Sequence, residues 1–444
     1  MTISRRDLLR SALVLGSAAA LGPTVAGCAT RSAAAPPMTS GDVDLLFWTH
    51  DQGYIDFFSG AVELADRATS YRYSLQPLQI AADDLVTKLI AQAVAGRGMP
   101  DVAGLEIGNF ARLLRGDLAP ELLEPLDGAV ADVRDDLIEA RLAPFSRDGH
   151  LYALDSDVPM VVYYRRDDVF TELGIPTEFE SWEELARIGA KVHDKTGQSL
   201  GTVVTGTDLG QVVQQFWIPL LQRGGGLFDA DGELSIETPE AEEVLTFLVD
   251  GVQSGFLSTV SDVYGPAMQA ALKQGRILGI AMPSWYEAYG LKPNVPEQAG
   301  AWRIGALPPF AGGGGRTSVG GGTGFAAVTG SPRTAASADF VAAAYLDPDQ
   351  QVRRFKDLGY LPTRRSAYQD QRLLTLEDDY LGGQRAFEVF ADLVDEAPAV
   401  YLSPDIQILN TVLAGALVDA YRGRSTPSQA LTQAAETFRS QADR

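Results

Sequence analysis

Apolar residues along this chain follow two rhythms, one for strands and one for helices. Asp42-Val43-Asp44-Leu45-Leu46-Phe47-Trp48-Thr49 is mostly apolar, the composition of a strand covered on both faces. A helix is predicted near residues 54–68, followed by an alternating strand over 71–78. Leu85, Leu89, Ile90 and Val94 recur at helical spacing over 83–95, and Asp83 and Asp84 complement the start of that helix. Residues 96–100 break it, and 101–105 read as a third, short strand. This βαβαβ order predicts a parallel sheet with right-handed crossovers.

The rhythm then shifts. Residues 152–164 are strand-like, and Ser181-Trp182-Glu183-Glu184 opens a helix with a capping-box pattern. A second α/β set runs through 201–205, 211–223, 239–251 and 277–281. Residues 304–308 and 322–328 read as strands returning to the first unit. Beyond Ser331 the pattern is almost wholly helical, with turns at 359–362 and 402–404. No internal repeat is present.

The front of the chain reads as an address. Ser4-Arg5-Arg6-Asp7-Leu8-Leu9-Arg10 precedes a short Leu/Ala/Val-rich run, and Val25-Ala26-Gly27-Cys28 closes it. A basic start, an apolar stretch too short for a comfortable membrane span, and small residues before a cut site describe an export signal over 1–27. The paired arginines resemble a twin-arginine signal. Val-Ala-Gly-Cys resembles a bacterial lipobox, so Cys28 is the expected lipidation site. Residues 28–41, rich in Ala, Pro and Ser, read as a tether. The expected location is the outer face of the cytoplasmic membrane, held by lipid.

Composition narrows the function classes. A chain of 444 residues makes two or three domains at about 150 residues each. With 36 Lys+Arg against 58 Asp+Glu, the net charge is −22, which disfavours binding to nucleic-acid phosphates. Cys28 is the single cysteine, so no intramolecular disulfide forms. The three histidines, His50, His150 and His193, have no metal-ligand spacing. No metal, cofactor or nucleic-acid partner is expected.

Several short stretches, in order, resemble the extracellular solute-binding proteins of ABC sugar importers, the group that includes maltose-binding protein. The most telling are Tyr163-Tyr164-Arg165-Arg166-Asp167, Leu173-Gly174-Ile175-Pro176 and Ser181-Trp182-Glu183-Glu184-Leu185. Gly98-Met99-Pro100-Asp101-Val102, Leu123-Glu124-Pro125-Leu126-Asp127, Gly224-Gly225-Gly226-Leu227-Phe228, Gly279-Ile280-Ala281-Met282-Pro283-Ser284-Trp285, Gly321-Gly322-Thr323-Gly324-Phe325 and Leu361-Pro362-Thr363-Arg364 agree with it. The resemblance covers residues 42–442. It implies an α/β, two-lobed periplasmic binding fold of type II-like form, with hinge-connected lobes and interleaved chain segments. One lobe is expected at 42–156 plus 303–360, the other at 157–302 plus 365–444, with 361–364 as a hinge crossing. It also implies a monomer that captures a solute between the lobes and hands it to ABC permease subunits.

A sugar site wants aromatic plates for pyranose faces and fixed polar groups for hydroxyls. Trp285, in Met282-Pro283-Ser284-Trp285-Tyr286 after a strand end, is the expected platform, with Tyr286 beside it. Trp48 ends the first strand and reads equally as core. Asp51 and Gln52 in the next loop suit hydroxyls. Gln215 matches a family cleft position, whereas Trp217 lies in a helical stretch where spacing also means core. Glu106 follows the third strand, and Asp157 leads into the first crossing. Gly322 and Thr323 bring backbone N–H groups close to a ligand. Arg364 either forks onto ligand hydroxyls or a carboxylate, or forms a lobe-to-lobe ion pair. Trp182 and Trp302 read as structural.

Enzyme motifs fail on context. Gly197-Gln198-Ser199-Leu200-Gly201 matches GxSxG, but a helix precedes it and a strand follows, the reverse of a nucleophile elbow. Residues 312–317 lack the first Gly and the Lys of a phosphate loop. Asp155 and Asp157 alone do not define a glycosidase pair. Three readings remain: a carbohydrate receptor; a receptor for an amino sugar, polyamine or glycerophosphodiester; and an exported carbohydrate-active enzyme.

Overall fold

The computed structural model describes residues 36–442. Residues 1–27, expected to form an export signal, and Cys28, the expected lipidation site, lie outside the described residues. Among those described, no helix is long and apolar enough to cross a membrane.

The first sheet is built from β1 (Gly41–Thr49), β2 (Tyr71–Gln79) and β3 (Val102–Glu106), as the opening rhythm predicts. β1 runs parallel to both neighbours, pairing Gly41 with Tyr71 and Trp48 with Ala103. The predicted helix between β1 and β2 is two, Gln52–Ser59 and Val62–Ala68. A short hairpin of β4 (Ser146–Arg147) and β5 (His150–Leu151) precedes β6 (Leu154–Asp155). The single strand expected over 152–164 is also two. After β6 the chain leaves the first sheet, and β7 (Met160–Arg166) opens the second. Pro159 lies in the gap, where a missing N–H ends a ladder.

β8 (Gly201–Val204) and β9 (Leu257–Val260) pair in parallel beside the second sheet. β10 (Gly279–Pro283), β11 (Trp302–Gly305) and β12 (Ser318–Val319) all pair antiparallel with β7. β13 (Thr323–Ala327) then completes the first sheet, antiparallel to β3 and β6. This corrects two expectations. Ile304 pairs with Tyr164 in the second sheet, so residues 303–319 belong with the second lobe. The return crossing falls between Val319 and Thr323. A short strand carries no mark of which sheet it joins, because both bury it equally.

Each lobe has its own aromatic core. Phe47, Phe58, Phe325 and Tyr345 pack at 4.7–5.9 Å between centroids in the first. Trp182, Phe247, Phe256 and Phe310 pack in the second. Ser181 caps the helix Trp182–Thr196 by accepting from the Glu184 N–H, and the indole of Trp182 donates to Gln222 at 2.8 Å. Trp302 is fully buried and donates to Gln298. Ser199, the centre of the GxSxG match, is buried and donates to the Gly255 carbonyl.

The start of the described chain is stitched to the first lobe. Met38 N–H donates to the Pro332 carbonyl, and the Tyr71 hydroxyl donates to the Met38 carbonyl. This junction lies at the strand-start pole of β1, opposite the end that carries the loop 50–51.

Candidate functional site

Where the chain passes between lobes, charge is buried. Arg141 Nε donates to Asp155 Oδ2 at 2.6 Å, with both side chains almost fully enclosed. Arg141 Nη2 also donates to the Gly321 carbonyl. Gly322 sits at φ 129°, and a Cβ there would run into the Arg141 guanidinium. Gly322 is therefore required by the ion pair, whatever it offers a ligand. The Thr323 carbonyl accepts from Ser156 N–H at 2.7 Å and its N–H donates to the Ser156 hydroxyl, which fastens one crossing to the other. Asp157 is 1% exposed; one carboxylate oxygen accepts from Ser156 and the other has no partner among the described residues. Burial raises the Asp157 carboxyl, and it pushes Asp155 up to about 7 against the pull of Arg141.

The loop end of β1 carries further unmet polar groups. Trp48 Nε1, Thr49 Oγ1 and His50 Nδ1 are buried without partners among the described residues. Trp48 is 2% exposed, and the Lys88 ammonium lies 4.7 Å over its ring. That face of the indole is covered, so Trp48 is core rather than a sugar plate. Asp51 caps the helix Gln52–Ser59, accepting from Gly53 N–H at 2.7 Å. Gln52 is exposed and donates to Asp56 within the same helix. Glu106, at the end of β3, accepts from Gly108 and Asn109 N–H groups through Oε2, capping residues 107–110. Burial raises its carboxyl to about 7 although those bonds oppose the shift.

The second lobe supplies the aromatic wall. Trp285 follows β10, is half-buried, and stacks on Tyr264 at 6.1 Å and 27°. A Cβ placed on Gly321 would lie 3.9 Å from Trp285 Cζ2 and 3.8 Å from Gln214 Nε2. The indole edge, Gln214 and the glycine crossing thus share one space. Beside them, Ser284 Oγ is buried with no partner among the described residues.

Three expectations need correction here. Tyr286 is fully buried and its hydroxyl donates to the Val263 carbonyl, so it belongs to the core. Gln215 turns inward, its amide 3.6 Å from the Met282 sulfur, and Gln214 takes the outward place. One residue on a helix turns a side chain by about 100°. Arg364 pairs with Asp136 at 2.7 Å and donates to the Leu346 carbonyl, both in the first lobe. It fastens the 361–364 segment to that lobe and reaches neither a ligand space nor the second lobe. Trp217 is 8% exposed on the helix Leu209–Arg223, a packing position.

Sequence reasoning missed Tyr289, one helical turn beyond Trp285. Its hydroxyl donates to Asp51 Oδ1 at 3.4 Å and accepts from the Tyr360 hydroxyl at 3.1 Å. The signal was present as a second aromatic at i+4 from the chosen platform.

Two interleaved α/β lobes, with a half-buried aromatic and unmet polar groups where they meet, define a two-lobed periplasmic binding protein. Comparison with known proteins makes the class specific. Residues 68–378 match the family model for bacterial extracellular solute-binding proteins, and the chain belongs to that family. It is a binding protein and not an enzyme. An arabinooligosaccharide-binding protein of Halalkalibacterium halodurans is 29% identical over 90% of this chain and 89% of its own length. The arabinooligosaccharide-binding protein of Bacillus subtilis is 28% identical over 93% of this chain and 94% of its own. In structure, a cyclic alpha-maltosyl-1,6-maltose binding protein from Arthrobacter globiformis superposes with TM-score 0.74 at 21% identity, covering 90% of this chain and 99% of that one. A Streptomyces glaucescens receptor, solved unliganded and with acarbose, gives 0.72 at 20% identity, covering 90% and 98%.

Proposed function

We propose that this protein is the receptor of an ABC importer and captures an oligosaccharide between its lobes, with arabino-oligosaccharides the first candidates. The observation that carries the reading is Trp285, a half-buried indole facing the glycine crossing with Gln214 alongside. An aromatic plate beside directed amide and carboxylate groups suits a polyhydroxyl ring. The unmet groups Thr49, His50, Asp157 and Ser284 are ready partners for hydroxyls. The two curated relatives, matched over nearly their whole length, support the arabino-oligosaccharide assignment. Anchoring through a lipid on Cys28 and delivery to permease subunits complete the proposal; the leader-like start and the family support these.

A second ligand class is favoured by charge. Asp51 is acidic, Asp157 keeps one carboxylate oxygen without a partner among the described residues, and Arg364 is engaged by Asp136. This favours a cationic amino sugar or polyamine over a glycerophosphodiester. The test is titration calorimetry of wild type and Trp285→Ala with arabino-, malto- and galacto-oligosaccharides, glucosamine, spermidine and glycerophosphocholine. An oligosaccharide bound by wild type and weakened by at least about tenfold in Trp285→Ala is the expected result. Binding of spermidine or glucosamine alone would move the assignment to a cation. Oligosaccharide binding untouched by Trp285→Ala would remove the platform.

A further inference from the structure

Tyr289 belongs to the second lobe, on the turn Glu287–Leu291 that follows β10. Everything its hydroxyl meets belongs to the first lobe or to the segment that leaves it. Asp51, which heads the helix Gln52–Ser59, accepts from it, and Tyr360 donates to it. The Tyr289 and Tyr360 rings stack at 6.0 Å and 10°, and Tyr360 continues onto Tyr54 of the first lobe at 5.3 Å. Three tyrosine rings in sequence thus join the two lobes, beside the place where Gly359 lies against the backbone of Ser284 and Trp285. The approach is close. A Cβ on Gly53 would lie 2.9 Å from the Tyr289 hydroxyl and 2.9 Å from Leu358 Cδ2. Glycine at 53, with an ordinary backbone conformation, leaves the room that the phenol occupies.

We infer that Tyr289 is a positioning residue for lobe closure, a latch made of protein groups alone that favours the closed arrangement before any solute binds. Contacts that join the lobes bias the open-to-closed equilibrium, and a ligand that prefers the closed form binds more tightly as that form becomes more populated. The latch deepens the receptor reading but does not depend on which solute is bound. Asp51 then serves twice, because the same carboxylate caps a first-lobe helix and receives the second-lobe phenol.

The test needs no ligand. The full chain carrying Cys28→Ser, which blocks lipid attachment, is compared by small-angle X-ray scattering with the same chain carrying Tyr289→Phe. A third chain carries Gly53→Ala, whose Cβ crowds the phenol together with the Asp51 carboxylate and Leu358 and leaves the phenol itself in place. Tyr289→Phe removes both hydrogen bonds of the phenol, and each one lost shifts the closed-to-open ratio by about three- to tenfold. Both variants are therefore expected to show a larger radius of gyration than the parent, with unchanged circular dichroism. Trp285, one turn from Tyr289, reports the same shift through its emission. Equal radii of gyration in parent and variants would overturn the latch, whatever happens to affinity. An affinity loss in Tyr289→Phe with unchanged ligand-free dimensions would make Tyr289 a ligand contact instead. Failure of every oligosaccharide to bind would overturn the receptor's ligand assignment and leave the scattering comparison intact.

Discussion

Neighbouring side chains on this protein have opposite fates, and the backbone decides which. Trp285 faces the glycine crossing, while Tyr286 turns into the core and bonds to Val263. Gln214 and Gln215 divide in the same way. Residue types suited to sugar were legible in the sequence at both places, but the phase of a turn or helix was not, so the reading took Tyr286 together with Trp285 and took Gln215 in place of Gln214. Glu106 was legible as a loop acid at a strand end, and its titration yields a prediction. Its folded carboxyl is raised to about 7 from an ordinary 4.5, chiefly by burial. The folded state therefore holds the proton more tightly than the unfolded chain. The stability this contributes is full below about pH 4.5 and is lost as pH rises through about 7. Glu106→Gln keeps an oxygen to accept from Gly108 and Asn109 but does not titrate. Its melting temperature is expected to fall less than that of wild type between about pH 5 and about pH 7.5, measured by scanning calorimetry. Equal slopes would show that the carboxyl is not perturbed.

At the scale of elements, the strands of the first sheet were readable because β1 and β3 carry the apolar runs of buried parallel strands and β2 the alternation of a strand with one covered face. Sheet membership of β11 and β12 was not readable, since pairing with β7 is a contact across well over a hundred residues of chain. The crossings themselves depend on Arg141 and Asp155, a pair that local pattern does not reveal. Removing one member of a buried pair strands the other. Arg141→Leu is expected to cost about 3–5 kcal/mol of stability in urea denaturation near neutral pH. The loss should be smaller near pH 5, because Asp155, already raised by burial, then takes up a proton and sheds its charge. A loss independent of pH would mean that packing, not charge, is what Arg141 contributes.

For the whole molecule, the interleaving of segments couples the lobes. β6 and β13 sit in the first sheet, while β7 and β12 sit in the second, only a few residues away along the chain. A ligand gripped by both lobes stabilises both. At a hundredfold excess over its dissociation constant it is expected to add about 2.7 kcal/mol, rising by about 1.4 kcal/mol for each further tenfold. A thermal-shift series across ligand concentration checks this, and a shift that saturates early would point to binding by the unfolded chain as well. The two-lobed plan was legible as a resemblance of many short stretches in order. The ligand was not, because it depends on where a few side chains point.

The stitching of Met38 to Pro332 and Tyr71 has a consequence for how such a receptor would search. If Cys28 carries the lipid, ten residues separate the bilayer from the first fixed point, a leash of about 35 Å at full stretch. β1 then carries the chain about 30 Å from that pole to the loop at Asp51. On that anchoring, the loop at Asp51 would be held away from the membrane and would pivot over a small patch of it. Encounter with a permease inside that patch would then be a matter of turning rather than of travelling.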